Sequence, residues 1–244
     1  TEWFPKKERA FATGIFNAGT NIGAIIAPLS VPFIAAAYGW RMAFVATGSI
    51  GLIWLFFWYW LYDTPHRQKR LGSTEFDHIH SDTDEVQPSG DTPAVKAPWS
   101  IILSFRPTWA YEIGKFLTDG IWWFYLFWLP DFLKEEYNLT KTDLALPVAL
   151  VYVLATVGSV FGGWLPMYFI SKGWPVFRAR KTSMLIYAFC VLPVLFSQIA
   201  GSYNMWFAIL IIGFAAAAHQ AWSANLYTTV SDALPKNLVA SVIG

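Results

Sequence analysis

Lys115 and Asp119 stand four residues apart inside an apolar, aromatic run that ends at Pro130. On a helix that spacing puts both on one face, close enough to pair. If the run enters the apolar layer near Trp109, Asp119 lies about 15 Å along it, halfway through a hydrocarbon core of about 30 Å. An ionisable group at that depth points to proton or ligand chemistry. A structural ion pair, or a lysine stem reaching for the surface, is the plainer alternative. A second cluster, His219, Gln220, Ser223 and Asn225, interrupts another apolar run, with His219 and Ser223 at i, i+4. Four polar groups there would line a cavity or form a satisfied polar core; a histidine could also bind a carboxylate or carry a proton.

Asn17, Thr20 and Asn21 fall at i, i+3 and i+4 in the first apolar run and are expected to share a face turned into the protein. Amides donate and accept, so Asn17 and Asn21 could hold sugar hydroxyls or bond a neighbouring helix. Trp122, Trp123, Tyr125 and Trp128 encircle most of one helix. An aromatic belt accounts for most of them, and Tyr125 could offer its hydroxyl to a cavity. Gly14, Gly19 and Gly23 suit close helix packing. His78 and His80 lie between Asp77 and Asp82, but no fourth-ligand pattern recurs, so no metal site is assigned. No Walker, nucleophile-elbow or H-E-x-x-H motif is present, which leaves ATP-driven transport and hydrolysis without support. No cofactor is expected.

These groups need apolar elements to hold them. Of 244 residues, 55% are hydrophobic, 14% charged and 18% aromatic, against about 25% charged in soluble domains. A net charge of +1 gives no reason to expect nucleic acid, and the one cysteine, Cys190, permits no disulfide within the chain. Six segments approach spanning length: 11–38, 42–62, 109–130, 144–170, 182–200 and 204–231. Backbone in lipid must bond to itself, so these are read as helices. Pro28 and Pro32 lead one to expect tilt or a kink in the first. Residues 63–108 are polar and read as a flexible linker, with a short surface helix near its end. The chain opens on Thr1 and is expected to be cut from a longer protein at both ends.

Placing residues 1–10 inside puts thirteen Lys and Arg on inner faces and three, Arg41, Lys134 and Lys141, outside. The positive-inside rule therefore makes segments 1–10, 63–108 and 171–181 cytoplasmic. Pro5-Lys6 with Ala10 and Gly14 recurs as Pro235-Lys236 with Ala240 and Gly244, which suggests two homologous halves.

Three stretches resemble the major facilitator superfamily. They are Glu2-Trp3-Phe4-Pro5 through Glu8-Arg9 into Ala12-Thr13-Gly14-Ile15-Phe16-Asn17; Phe116-Leu117-Thr118-Asp119 through Trp128-Leu129-Pro130; and His219-Gln220 through Asn225 to Asp232 and Pro235. Within that superfamily the chain is similar to the anion:cation symporters, close to bacterial hexuronate transporters. The resemblance implies an all-α integral membrane fold, with six transmembrane helices, five to ten of twelve, from two pseudo-symmetric bundles. Residues 1–62 would close the first bundle, 63–108 link the two, and 109–244 open the second. It also implies import of a small acidic sugar with protons by alternating access, in a bacterial inner membrane, by a protein that is monomeric at full length and not an enzyme. Partners would be that sugar, protons and the lipid bilayer. The family's anion-binding arginine and protonatable carboxylates lie on helices this chain does not include. Gly162-Gly163 to Arg178, Arg180 and Lys181 resembles the superfamily's inner gating loop, although plain positive-inside topology would also explain those cations. An organophosphate or other carboxylate exchanger, and a nontransporting sensor, stay open as alternatives.

Overall fold

The computed structural model describes residues 3–68, 70–81, 98–140, 143–234 and 236–243, and all its regular elements are helical. Lys69, Asp82, Lys96, Lys141, Pro235 and Gly244 lie outside them. In order, the helices are α1 (Lys6–Tyr38), α2 (Trp40–Leu61), α3 (Ser73–Ile79), α4 (Trp99–Ile102), α5 (Arg106–Tyr137), α6 (Ala145–Ser171), α7 (Val176–Val191), α8 (Ser197–Tyr203), α9 (Met205–Ala233) and α10 (Lys236–Ile243).

Five stretches are long and apolar enough to cross a membrane: Lys7–Ala27, Trp40–Leu61, Ala145–Ser171, Val176–Tyr203 and Met205–Ala233. With 32 residues, α5 is as long, but Glu112, Lys115 and Asp119 lower its apolar character. α1 runs unbroken for 33 residues, about 50 Å, and so exceeds an upright span. It stops at Gly39, whose φ of +82° is open to glycine at no steric cost, and α2 starts on the next residue. Gly173, with φ +86°, turns the chain between α6 and α7 in the same way. The segment expected as 182–200 is longer and compound. α7 passes into a 3₁₀ turn at Leu192–Phe196, where Pro193 cannot continue the α-helical ladder, and then into α8. Asn204 starts α9 by accepting the Trp206 N–H at 2.9 Å.

The linker is not wholly without structure. α3 lies within it, with His78 Nε2 3.1 Å from Glu8 Oε1 on α1 and His80 stacked on Phe76. α4 is a single turn that buries Ile102. α10, from Lys236 to Ile243, is the last described helix.

α6 is the centre of the packing and presents two seams of small residues. Gly158 and Gly162 meet the backbone of α9 at Ala217 and Ala221, while Gly163 meets Ala10 and Phe11 of α1, and Gly14 of α1 meets Ser159. At each of these contacts a β-carbon would collide with backbone. Ser159 Oγ donates to the Gly14 carbonyl at 2.9 Å. With no hydrophobic drive between helices in lipid, such close approach supplies the dispersion contact that joins them. The tight crossing thus falls at Gly14, whereas Gly19 and Gly23 have open space around them.

Candidate functional site

The buried face of α1 runs through Ala10, Gly14, Ala18 and Asn21. Helical geometry explains why the expected trio divides. Thr20 and Asn21 are 100° apart at 3.6 residues per turn, so one can be buried while the other is exposed. Asn21 is fully buried, and neither its amide oxygen nor its nitrogen has a hydrogen-bond partner among the described residues. Asn17 is half-buried, and Thr20 is exposed with its hydroxyl bonded to the Asn17 carbonyl at 2.7 Å. An unsatisfied amide at zero exposure costs about 1–3 kcal/mol, which marks Asn21 as holding unused hydrogen-bonding capacity among the described residues.

Helices α5 and α9 bring the other polar groups together at mid-length. Lys115 Nζ is 2.6 Å from Asp119 Oδ1 and sits 4.7 Å from the centroid of the Tyr227 ring of α9. The ammonium is therefore held by a carboxylate and by the ring's negative face. One residue before Asp119, the Thr118 carbonyl accepts from His219 Nε2 at 3.0 Å. With Nε2 donating, Nδ1 is an acceptor in the neutral ring; it is buried and has no partner among the described residues. The imidazole lies parallel to Trp122, with centroids 5.8 Å apart, and Trp122 abuts Tyr152 edge-on. Gln220 and Ser223 are each only 7% exposed and make no side-chain hydrogen bond among the described residues.

Two residues expected at the cavity are engaged elsewhere. Asn225 Nδ2 donates to the Gly162 carbonyl at 2.6 Å and to the Ala221 carbonyl at 2.9 Å, tying α9 to α6. The amide nitrogen joins the helices, while its Oδ1 is buried with no hydrogen-bond partner among the described residues. Tyr125 belongs to an apolar cluster with Leu129, Leu133, Val151 and Ile209, within packing rather than among the polar groups.

The basic loop also divides. Arg180 is 1% exposed, with Nη2 2.9 Å from Asp232 Oδ2; Arg9 Nη1 lies 3.3 Å from Asp232 Oδ1, and Arg9 Nε donates to the Phe4 carbonyl at 3.0 Å. One carboxylate near the end of α9 thus gathers the starts of α1 and α7. Arg178 and Lys181 are exposed and rest on the Trp174 and Phe177 rings instead. Sequence reading did not foresee the roles of Arg9 and Asp232. Their types were legible, but 223 positions separate them, and no local spacing reports such a pairing. Among the described residues no group of three or more His, Cys, Asp or Glu could hold a metal ion.

Apolar spans joined by small-residue seams, with polar side chains at mid-helix and an ion cluster at one end, define a multi-pass helical membrane protein. The family model for the Major Facilitator Superfamily matches residues 1–244, and the chain belongs to that superfamily. It is 33% identical over its whole length to the hexuronate transporter of Escherichia coli strain K12, covering 56% of that protein. It is 33% identical over 69% of its length to the galacturonate transporter of Dickeya chrysanthemi, covering 48% of it. Against the D-galactonate transporter of Escherichia coli O6:H1 the identity is 30% over 76% of this chain and 44% of the relative. The chain spans about half the length of the curated relatives it matches.

Proposed function

We propose that this chain is the middle part of a secondary transporter that imports an acidic sugar, a hexuronate or aldonate, with protons, by alternating access in a bacterial inner membrane. The observation that carries the reading is a set of buried polar side chains: the Asn21 amide and His219 Nδ1, which have no hydrogen-bond partner among the described residues, with buried Gln220 and Ser223 on the same helix as His219. Hydroxyl groups of a sugar would satisfy them, and the Lys115 ammonium near His219 suits a carboxylate. Asp119, bonded to Lys115, is the proposed proton carrier: protonation would release the lysine toward the substrate anion. The three named relatives are transporters of such acids, which supports the substrate class.

In this reading residues 1–62 complete one bundle, 63–108 form the cytoplasmic linker, and 109–244 belong to the second bundle. Segments 1–10 and 171–181 are also cytoplasmic. The full-length protein acts as a monomer. Rocking of the bundles about the mid-helix groups would alternate access. The close α1–α6 seam and the Arg9–Asp232–Arg180 cluster would close the cytoplasmic end. An organophosphate exchanger would favour paired arginines for bidentate phosphate binding; the cation beside this polar group is Lys115.

The test is uptake into proteoliposomes by the full-length protein under an imposed pH gradient, across glucuronate, galacturonate, galactonate, glycerol 3-phosphate and sulfoacetate. Gradient-driven accumulation of a sugar acid supports the proposal. Phosphate-dependent exchange, or no uptake of any sugar acid, refutes it.

A further inference from the structure

The cations in the first two turns of α7 that do not join Asp232 border a groove of about 700 Å³ along α7 and α9. Arg178, Lys181, Leu185 and Ala188 follow one another at i, i+3, i+7 and i+10, a single helical stripe that is charged at its start and apolar beyond. Thr182 lines the groove beside the cations, and Trp222 of α9 lines it too. Neither Arg178 nor Lys181 meets a carboxylate among the described residues, and no acidic side chain is among those lining the groove. Their charges rest on the Trp174 and Phe177 rings at 4.7 and 5.5 Å, which holds them in place and leaves N–H donors for an anion. From Arg178 to Ala188 the helix rises about 15 Å, the depth of one leaflet of a hydrocarbon core of about 30 Å.

We infer that this groove binds an anionic phospholipid, with its phosphate at Arg178 and Lys181 and an acyl chain along Leu185, Ala188 and Trp222. A bare anion would use the cations and leave the apolar stripe uncovered; a zwitterionic lipid would bring its own cation against theirs. A lipid with net negative charge matches both ends. The orientation proposed above makes the cytoplasmic leaflet its source. Basic pockets between helices on that side are suited to such headgroups. The start of α7 then has two tasks: Arg180 turns inward to Asp232, while Arg178 and Lys181 face the bilayer.

Native mass spectrometry of the full-length protein, stripped of lipid in a nonionic detergent and titrated with phosphatidylglycerol or phosphatidylcholine, tests this. A micelle has no leaflets, and the assay involves no transport, so its outcome is independent of the proposed orientation and function. The expected result is one retained phosphatidylglycerol, bound more tightly than phosphatidylcholine. Arg178→Gln with Lys181→Gln should weaken it about 30-fold, at about 5-fold per cation. Ala188→Trp, which fills the acyl path without touching charge, should also displace it while the unfolding midpoint holds. Equal binding of the two lipids, displacement by inorganic phosphate alone, or full binding by the Ala188→Trp variant would each overturn the inference.

Discussion

Replacing Arg9 by Met isolates one arm of the ion cluster. Asp232 keeps Arg180 at 2.9 Å, so the substitution leaves the carboxylate paired; it removes the 3.3 Å contact between α1 and α9 and the Arg9 bond to the Phe4 carbonyl. A hydrogen bond to a charged group contributes about 1.5–3 kcal/mol, and this length favours the lower end. A loss of about 1.5 kcal/mol from the closed state would raise the open fraction about 10-fold. Ser159→Cys is a near-isosteric reporter, since Ser159 is fully buried against Gly14 and becomes accessible only if α1 leaves α6. With Cys190→Ala, alkylation of that thiol in inside-out vesicles should run about 10-fold faster in Arg9→Met than in its parent. Asp232→Asn should behave differently. It removes the carboxylate 2.9 Å from Arg180, which is 1% exposed, and so should destabilise the fold by about 3–5 kcal/mol, with Arg180→Met restoring part of the loss. Unchanged labelling in Arg9→Met, with folded protein intact, would refute the view that the cluster holds the end shut.

Gly163→Leu would drive a side chain into the backbone of α1 at Ala10 and Phe11, and should give a folded protein whose Ser159→Cys thiol labels in the ground state; protection equal to the parent would count against the seam. Asp119→Asn should abolish uphill uptake and spare counterflow, and Lys115→Met should not rescue it; normal uphill uptake by Asp119→Asn would end the proton assignment. Asn21→Leu and Gln220→Leu should each weaken substrate affinity about 2- to 13-fold, one neutral hydrogen bond apiece, in equilibrium binding to the full-length protein. Asn225→Leu should instead lower the unfolding midpoint, because its amide joins α9 to α6.

Periodicity and composition located the apolar helices well, because spanning lipid imposes a length and forces the backbone to bond to itself. The Lys115–Asp119 contact was legible for a related reason, since i, i+4 spacing fixes a distance without tertiary information. Which polar residues face a cavity was less so. Asn21 and Asn225 are alike in type and surroundings in the sequence, yet among the described residues neither amide atom of Asn21 has a partner, while the Asn225 nitrogen, though not its oxygen, bonds Gly162 on another helix. That difference depends on how α9 is rotated against α6, which Gly158, Gly162, Ala217 and Ala221 set by close contact. Arg180 and Lys181 are adjacent and equal in charge, but 100° of helical rotation sends one to Asp232 and leaves the other exposed. The partner across space supplies the missing information in each case.

The two polar regions are joined by one rod. α9 carries His219, Gln220 and Ser223 near its middle and Asp232 near its end, and a step of thirteen positions of unbroken helix, about 20 Å, leads from His219 to Asp232. Between them, Asn225 fixes α9 to α6 through the Gly162 carbonyl, and the next residue of α6, Gly163, lies against α1. A tilt of α9 on substrate binding would therefore act at the seam through Asn225 and at the ion cluster through Asp232. Both contacts reach α1, one by way of α6 and the other through Arg9. Coupling of this kind requires an element with two discrete arrangements rather than a chain of gradual shifts. A seam of glycines against backbone fits that requirement, because contacts that close are either made or lost. Asn225 sits between the two regions and ties α9 to α6 through its Nδ2, so in the proposed transporter α6 and α9 would move together and occupancy near His219 would be felt at Arg9.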